Sequence, residues 1–207
     1  MSTGSSAAGI QGIDVSHYQG VIDWNLVAEA GMAFAFIKAT EGISTVDPEF
    51  QDNWSGAKAA GLLRGAYHFY QPGDDPQQQA EYFLSVVQTV PGDLPPVLDV
   101  EIPAEASEII AGAQAWLAAV AQATAKIPIL YTSPSFWAQL GASVTGFSQF
   151  PLWVAEYGVT APKIPEGWTA WTFWQFSESG SVSGIEGSVD LDIFQGTLQG
   201  LQQMARS

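Results

Sequence analysis

The sequence predicts an α/β protein, an irregular (β/α) barrel with eight strands and about five helices. Three observations carry this. Apolar runs of strand length alternate with stretches of helical periodicity for five rounds. Three more strand-like runs then follow with little helix between them. The chain has 207 residues, 47% of them hydrophobic and 13% charged, which suits one large core and argues against disorder. Alternation of this kind predicts a parallel sheet, and eight strands suggest closure.

The first strand covers 9–15, GIQGIDV, and carries Asp14 near its end. A loop, SHYQG, follows at 16–20. Asp23 reads as the cap of a helix running to Ala30, with Gly31 just past its end. The unbroken apolar run 32–38, MAFAFIK, predicts a strand buried on both faces. Asp47 and Pro48 read as a cap and a first helical residue, with Phe50, Trp54, Ala57 and Ala60 at helical spacing and Gly61 as the stop. Residues 63–70, LLRGAYHFY after its first leucine, form the third strand, and Asp75 with Pro76 opens the third helix, on which Ala80, Phe83, Leu84 and Val87 share a stripe. The fourth strand is 96–101, and an alanine-rich helix over 105–124 carries Ile109, Ala113, Trp116, Leu117 and Val120 on one face. The fifth strand is 127–131, and Ser133 with Pro134 caps a short helix ending near Gly141. The last three strands are 150–155, 169–176 and 188–194. Residues 1–8 read as a flexible leader without the basic and apolar regions of a signal peptide, and 9–207 as a single domain.

The fourth strand, PVLDVE, holds the clearest chemistry. Asp99 and Glu101 lie two apart, so the strand's period of two aims both carboxylates the same way, about 6–7 Å apart at their Cα atoms. Like charges that close resist joint ionisation, which is a mark of acid/base sites. Two solvated loop acids are the other reading. In a barrel the chemistry sits at the C-terminal strand ends. Those ends carry Asp14, Lys38 with Glu41, His68, Asp99 with Glu101, Tyr131, Trp153 with Glu156, Trp174 with Gln175, and Asp190 with Asp192. The rim is therefore acidic and aromatic.

Composition narrows the partners. A formal net charge of -15 argues against nucleic acid and anionic membrane as partners. No apolar run approaches membrane-spanning length. There are no cysteines, hence no disulfide framework and no thiolate metal site. Eight tryptophans, six tyrosines and eleven phenylalanines are a heavy aromatic load, usually core, though flat rings also cover the apolar faces of sugars.

GIDVSHYQG, FAFIKATEG, RGAYHFY, LDVE, LWVAEYG, WTFWQFS and VDLDIF occur in that order, each at a predicted strand end. Together they resemble the glycoside hydrolase family 25 lysozymes, the Chalaropsis-type muramidases of bacteria, bacteriophages and some fungi. The resemblance runs from about Gly12 to about Gln195. It implies a flattened, irregular barrel and retaining cleavage of the β-1,4 bond between N-acetylmuramic acid and N-acetylglucosamine in peptidoglycan. It places the acid/base on Glu101, with Asp99, Asp14 and Asp190 completing the catalytic carboxylates. Burial and those three acids would raise the Glu101 pKa. Asp99 then either attacks as nucleophile or steadies an oxazolinium formed by the substrate's N-acetyl group, the reading preferred here. The family often carries Asn two residues after its last Asp; this chain has Asp192. An acid there either raises a neighbour's pKa or faces outward, and it is left out of the catalytic set.

Tyr67, Tyr131, Trp153, Tyr157 and Trp174 are candidates to stack on or hydrogen-bond to sugar. Gln175 would bond an N-acetyl group or a backbone, and Lys38 would pair with Asp14 or Glu41. The chemistry requires no cofactor and no metal, and His17 and His68 lack a metal-binding spacing. The expected partner is the peptidoglycan glycan strand, met by a monomer acting on the cell wall, whether extracellular, periplasmic or released as a phage lysin. A non-catalytic peptidoglycan-binding barrel is the first rival reading, and the retained acids weigh against it. A chitinase-like glycosidase is the second; the residues before Asp99 are Pro95, Pro96, Val97 and Leu98, so its longer acidic run is missing. A sugar-phosphate barrel would need more than six Lys and Arg.

Overall fold

A computed structural model describes residues 9–141 and 144–206, so the leader expected over residues 1–8 lies outside them. The strands are β1 (Ile10–Val15), β2 (Phe34–Glu41), β3 (Thr45–Val46), β4 (Leu63–Phe69), β5 (Val97–Asp99), β6 (Ile129–Thr132), β7 (Leu152–Ala155), β8 (Phe173–Gly180) and β9 (Val189–Phe194). The helices are α1 (Trp24–Glu29), α2 (Phe50–Ala59), α3 (Pro76–Val86), α4 (Ala106–Thr124), α5 (Pro134–Trp137) and α6 (Leu198–Arg206). Eight strands close in the ring β1-β2-β4-β5-β6-β7-β8-β9, while β3 is a short hairpin partner of β2. The barrel expected from the alternation is present.

One strand departs from the parallel expectation. β9 runs antiparallel to both its neighbours, β8 and β1. The link from Gly180 to Val189 is shorter than the roughly dozen residues a parallel crossover needs, so the chain can only turn back. Asp190 therefore sits at the start of β9 rather than toward a C-terminal end. It still faces the active end, because it pairs in register with Asp14.

The barrel is filled by rings. Phe34, Phe36, Val97, Ile129, Phe173 and Phe194 form one buried cluster with Tyr67, Tyr131 and Trp153 above them. Glycine makes room for two of these rings. A Cβ on Gly12 would stand 2.4 Å from the Phe34 ring, and one on Gly65 would stand 2.6 Å from the Phe36 ring. The outward faces of the strands pack against the helices through a second cluster that includes Trp54, Phe83, Trp116 and Leu117.

α6 lies beyond the expected five helices. Its apolar residues are few, but Leu201 and Ala205 are spaced to share one face, and both join the cluster inside the barrel. The Gly200 N–H donates to Thr197 Oγ1 at the helix start. This helix stops the N-terminal end of the barrel. The caps at Asp23, Asp75 and Ser133 form as expected, each accepting from helix N–H groups. Asp47 differs. α2 begins at Phe50, so Asp47 lies ahead of its first turn: Oδ1 of buried Asp47 accepts the Glu49 N–H at 3.0 Å, and Oδ2 accepts from the backbone N–H and Nδ1 of His17, at 3.0 and 2.7 Å. It thereby ties the loop after β1 to the loop after β3.

Candidate active site

A cavity of about 200 Å³ opens at the C-terminal end of the parallel strands. Nine of the expected site residues line it: Asp14, Lys38, Tyr67, Asp99, Glu101, Tyr131, Trp153, Gln175 and Asp190. Eight of them come from eight different strands of the ring, and Glu101 comes from the loop after β5. β5 ends at Asp99, which is 7% exposed, and Glu101 follows in the loop, exposed at the cavity mouth. The two acids thus open on one space at different depths.

That difference sets their protonation. Burial pushes the Asp99 carboxyl well above the usual carboxylate range, and repulsion from Glu101 adds to it. Asp99 Oδ1 is buried with no hydrogen-bond partner, which further disfavours its ionised form. Burial also raises Glu101, although its edge is open to solvent; Lys38 acts downward and Asp190 upward. The expected push from Asp99 and Asp14 is not what raises Glu101. Burial comes first for Glu101, and Asp190 is the neighbouring acid that pushes it up.

Lys38 is positioned by an irregularity. The pairing of β2 with β4 skips Ala39, a bulge that leaves Lys38 beside Tyr67 and brings Glu41 beside Phe69. Lys38 Nζ donates to Glu41 Oε2 at 2.7 Å and lies 4.6 Å from the centre of the Phe69 ring. Glu41, of the two partners expected for Lys38, is the one it takes. Gln71 Nε2 holds the other oxygen of Glu41 at 2.9 Å. The bulge also turns Thr40 outward, where its hydroxyl meets Nδ1 of fully buried His68 at 2.7 Å. His68 Nε2 contacts Gln79 Oε1, which already accepts the Gln71 N–H, so Nε2 is the donor and Nδ1 accepts from Thr40. Burial lowers the His68 pKa to about 4, keeping the ring neutral. His68 belongs to the packing behind the site and not to its rim.

Gln175 has a different role from the one expected. Its amide is fully engaged by side chains. Nε2 donates to Asp14 Oδ2 at 2.6 Å and to Asp190 Oδ2 at 3.2 Å. Oε1 accepts from the hydroxyls of Tyr131 at 2.9 Å and Tyr157 at 2.5 Å. No group remains for an N-acetyl substituent; Gln175 is the hub that fixes two acids and two tyrosines. Tyr157, half-exposed, does not line the cavity but stands beside it on this hub. Trp174 faces the opposite way. Gln175 points inward, so Trp174 must point outward, where its indole donates to the Glu156 backbone oxygen at 2.8 Å. Trp174 packs with Leu152, Val154 and Ile193 outside the barrel.

The family described as Glycosyl hydrolases family 25 matches residues 13–185. The chain belongs to this family. It is a glycoside hydrolase. Lysozyme M1 of Streptomyces globisporus is 39% identical over 98% of this chain and 74% of that protein. The N,O-diacetylmuramidase of a Chalaropsis species is 36% identical over 87% of this chain and 96% of its own length. The crystal structure of the bacterial lysozyme from Streptomyces coelicolor superposes with a TM-score of 0.92 at 38% identity, covering 97% of this chain and 99% of that one. The family match contains Asp14, Asp99 and Glu101 and stops before β9, which carries Asp190 and Asp192.

Sequence reading missed one part of this family 25 site and left another open. Tyr18, in the loop after β1, lines the cavity while 81% exposed. Its turn is held by a reciprocal cap: the Tyr18 N–H donates to Ser16 Oγ, and the Ser16 N–H to Gln19 Oε1. The His17 ring lies 4.1 Å from the Tyr18 ring and is itself anchored on Asp47. Ser16 and Gln19 at capping-box spacing were the available signal. The part left open is Asp192, which is fully buried, so of its two orientations the one beside other acids holds.

Proposed function

We propose that this enzyme is a lysozyme that cleaves the β-1,4 bond between N-acetylmuramic acid and N-acetylglucosamine of bacterial peptidoglycan with net retention. It works as a monomer on the cell wall. Glu101 is the general acid and base, and Asp99 steadies an oxazolinium formed by the substrate's own N-acetyl group. The observation that carries this reading is the depth difference between two carboxyls sharing one cavity, Glu101 at the mouth and Asp99 walled in.

Glu101 can reach both a glycosidic oxygen and water. Asp99, 7% exposed at the cavity wall, suits a charge that forms inside the cavity. When the acetamide N–H donates to Asp99, that carboxyl becomes a better anion and the pair's proton belongs on Glu101. Glu101 then protonates the leaving oxygen as the C1–O bond breaks, while the acetamide oxygen closes on C1. In the second half, water attacks C1 and gives its proton to Glu101, which opens the ring with the original configuration restored. Tyr67 and Tyr131 remain neutral donors, because burial and the nearby acids push both hydroxyls upward. Tyr18 offers an exposed ring for an outer sugar.

The test is digestion of purified peptidoglycan by wild type and Glu101→Gln, with products reduced by borohydride and identified by mass spectrometry. Reduced muramic acid ends from wild type alone are expected. Reduced glucosamine ends would move the cleaved bond, and no products at any pH or salt would return the binding-barrel reading. A 2-fluoro sugar trapped covalently on Asp99 would replace the substrate-assisted route with a nucleophilic one.

A further inference from the structure

Asp192 is a fully buried acid that the mechanism above does not use. Its Oδ1 accepts the Trp153 indole N–H at 2.8 Å. Its Oδ2 is buried and meets no donor. Asp192 pairs in register with Gly12 on β1 and Gln175 on β8, which brings its carboxyl beside that of Asp14, two residues along β1. Asp14 is also buried, and its Oδ2 already takes the Gln175 amide. The groups facing this spot are Asp14 from β1, Asp190 from β9, Gln175 from β8 and the Trp153 indole from β7, with the hydroxyls of Tyr131 and Tyr157 reached through Gln175. Two buried carboxylates side by side would leave one oxygen without a donor and two like charges in contact, both costly. One proton removes both penalties.

We propose that Asp192 is a positioning residue that shares a proton with Asp14 at neutral pH, so that the pair carries one negative charge and holds the Trp153 indole and Asp14 in place under the cavity. Electrostatics agree with the geometry. Burial pushes Asp192 up to about 8, against the downward pull of its contacts with Asp14 and Trp153, and Asp190 adds to the rise. Burial first, then Asp192 and Asp190, pushes Asp14 well above the usual carboxylate range.

The consequence is a specific pH dependence of stability. A proton kept by the folded protein but released by the unfolded chain near pH 4 makes folding less favourable as pH rises from about 4 to about 8. Asp192→Asn removes that linkage. The asparagine oxygen accepts from Trp153, and its amide donates to Asp14 with no proton needed. Thermal melting of both full-length proteins from pH 4 to 9 reads this directly and needs no substrate, so its outcome is separate from the fate of the lysozyme reading. At pH 8 the variant should melt at least about 5 °C above wild type, and the gap should close toward pH 4. Parallel curves, or a variant less stable at pH 8, would overturn the proposal. Carboxyl 13C NMR of wild type supplies a check that does not depend on the variant's folding: two aspartate carboxyls that both finish titrating below pH 6 at this spot would also overturn it.

Discussion

The two ends of the barrel solve opposite problems with the same strands. At the N-terminal end α6 lays Leu201 and Ala205 against Phe194, Leu94 and the phenylalanine layer. Its two buried cations have partners. Arg64 makes a paired contact with Asp93 at 2.8 and 3.3 Å and lies 3.8 Å from the centre of the Trp54 ring, and Lys126 Nζ donates to the Ala205 backbone oxygen at 3.0 Å. At the other end Asp14, Asp99, Asp190 and Asp192 all have raised pKa values, and two of the four keep an unpartnered buried oxygen. The lesson is that the apolar plug supplies stability which the acidic end gives up for chemistry.

The comparison breaks first at Glu101. Glu101→Gln should lower kcat/KM on peptidoglycan by about 10²–10⁴-fold while leaving the melting temperature equal or higher, since it removes a carboxyl held against repulsion. A large loss of stability would mean that the acidic end also carries the fold. The mirror experiment is Leu201→Ala, expected to cost about 2–5 kcal/mol in denaturant unfolding with kcat unchanged in the folded fraction. Equal losses of activity and stability there would join the two ends into one unit.

Smaller effects sharpen the contrast within the acidic end. Lys38 acts downward on both Asp99 and Glu101. Lys38→Met should therefore let Glu101 keep its proton longer and move the alkaline limb of kcat/KM to higher pH. A limb that stays in place would uncouple Lys38 from the acid. Tyr18→Ala should raise KM for long glycan strands by about five- to tenfold with little change in kcat, because the ring is exposed and far from the reacting groups in depth. The effect should fade on short oligosaccharides.

Much of this molecule was legible from local pattern. Apolar runs such as that through Phe34 and Ile37 marked the barrel strands, and Asp23, Asp75 and Ser133 marked helix starts, because strand burial and capping are decided by neighbours in sequence. Asp99 and Glu101 were identifiable as a pair because their spacing and the strand period are both local. What the chain alone left open depends on groups far apart along it. Asp47 reads as a local cap, yet only one of its oxygens serves the turn before the helix, and His17, 30 residues away, takes the other. Trp174 and Gln175 are adjacent, and only the closed ring decides which one faces the cavity. The short return from β8 to β9 set the antiparallel strand, and that strand set Asp192 against Asp14, 178 positions apart in the chain by their numbers. Sequence fixes what a residue can do with its neighbours. Burial and the company of distant carboxyls, which decide where the protons reside, exist only once the barrel has closed.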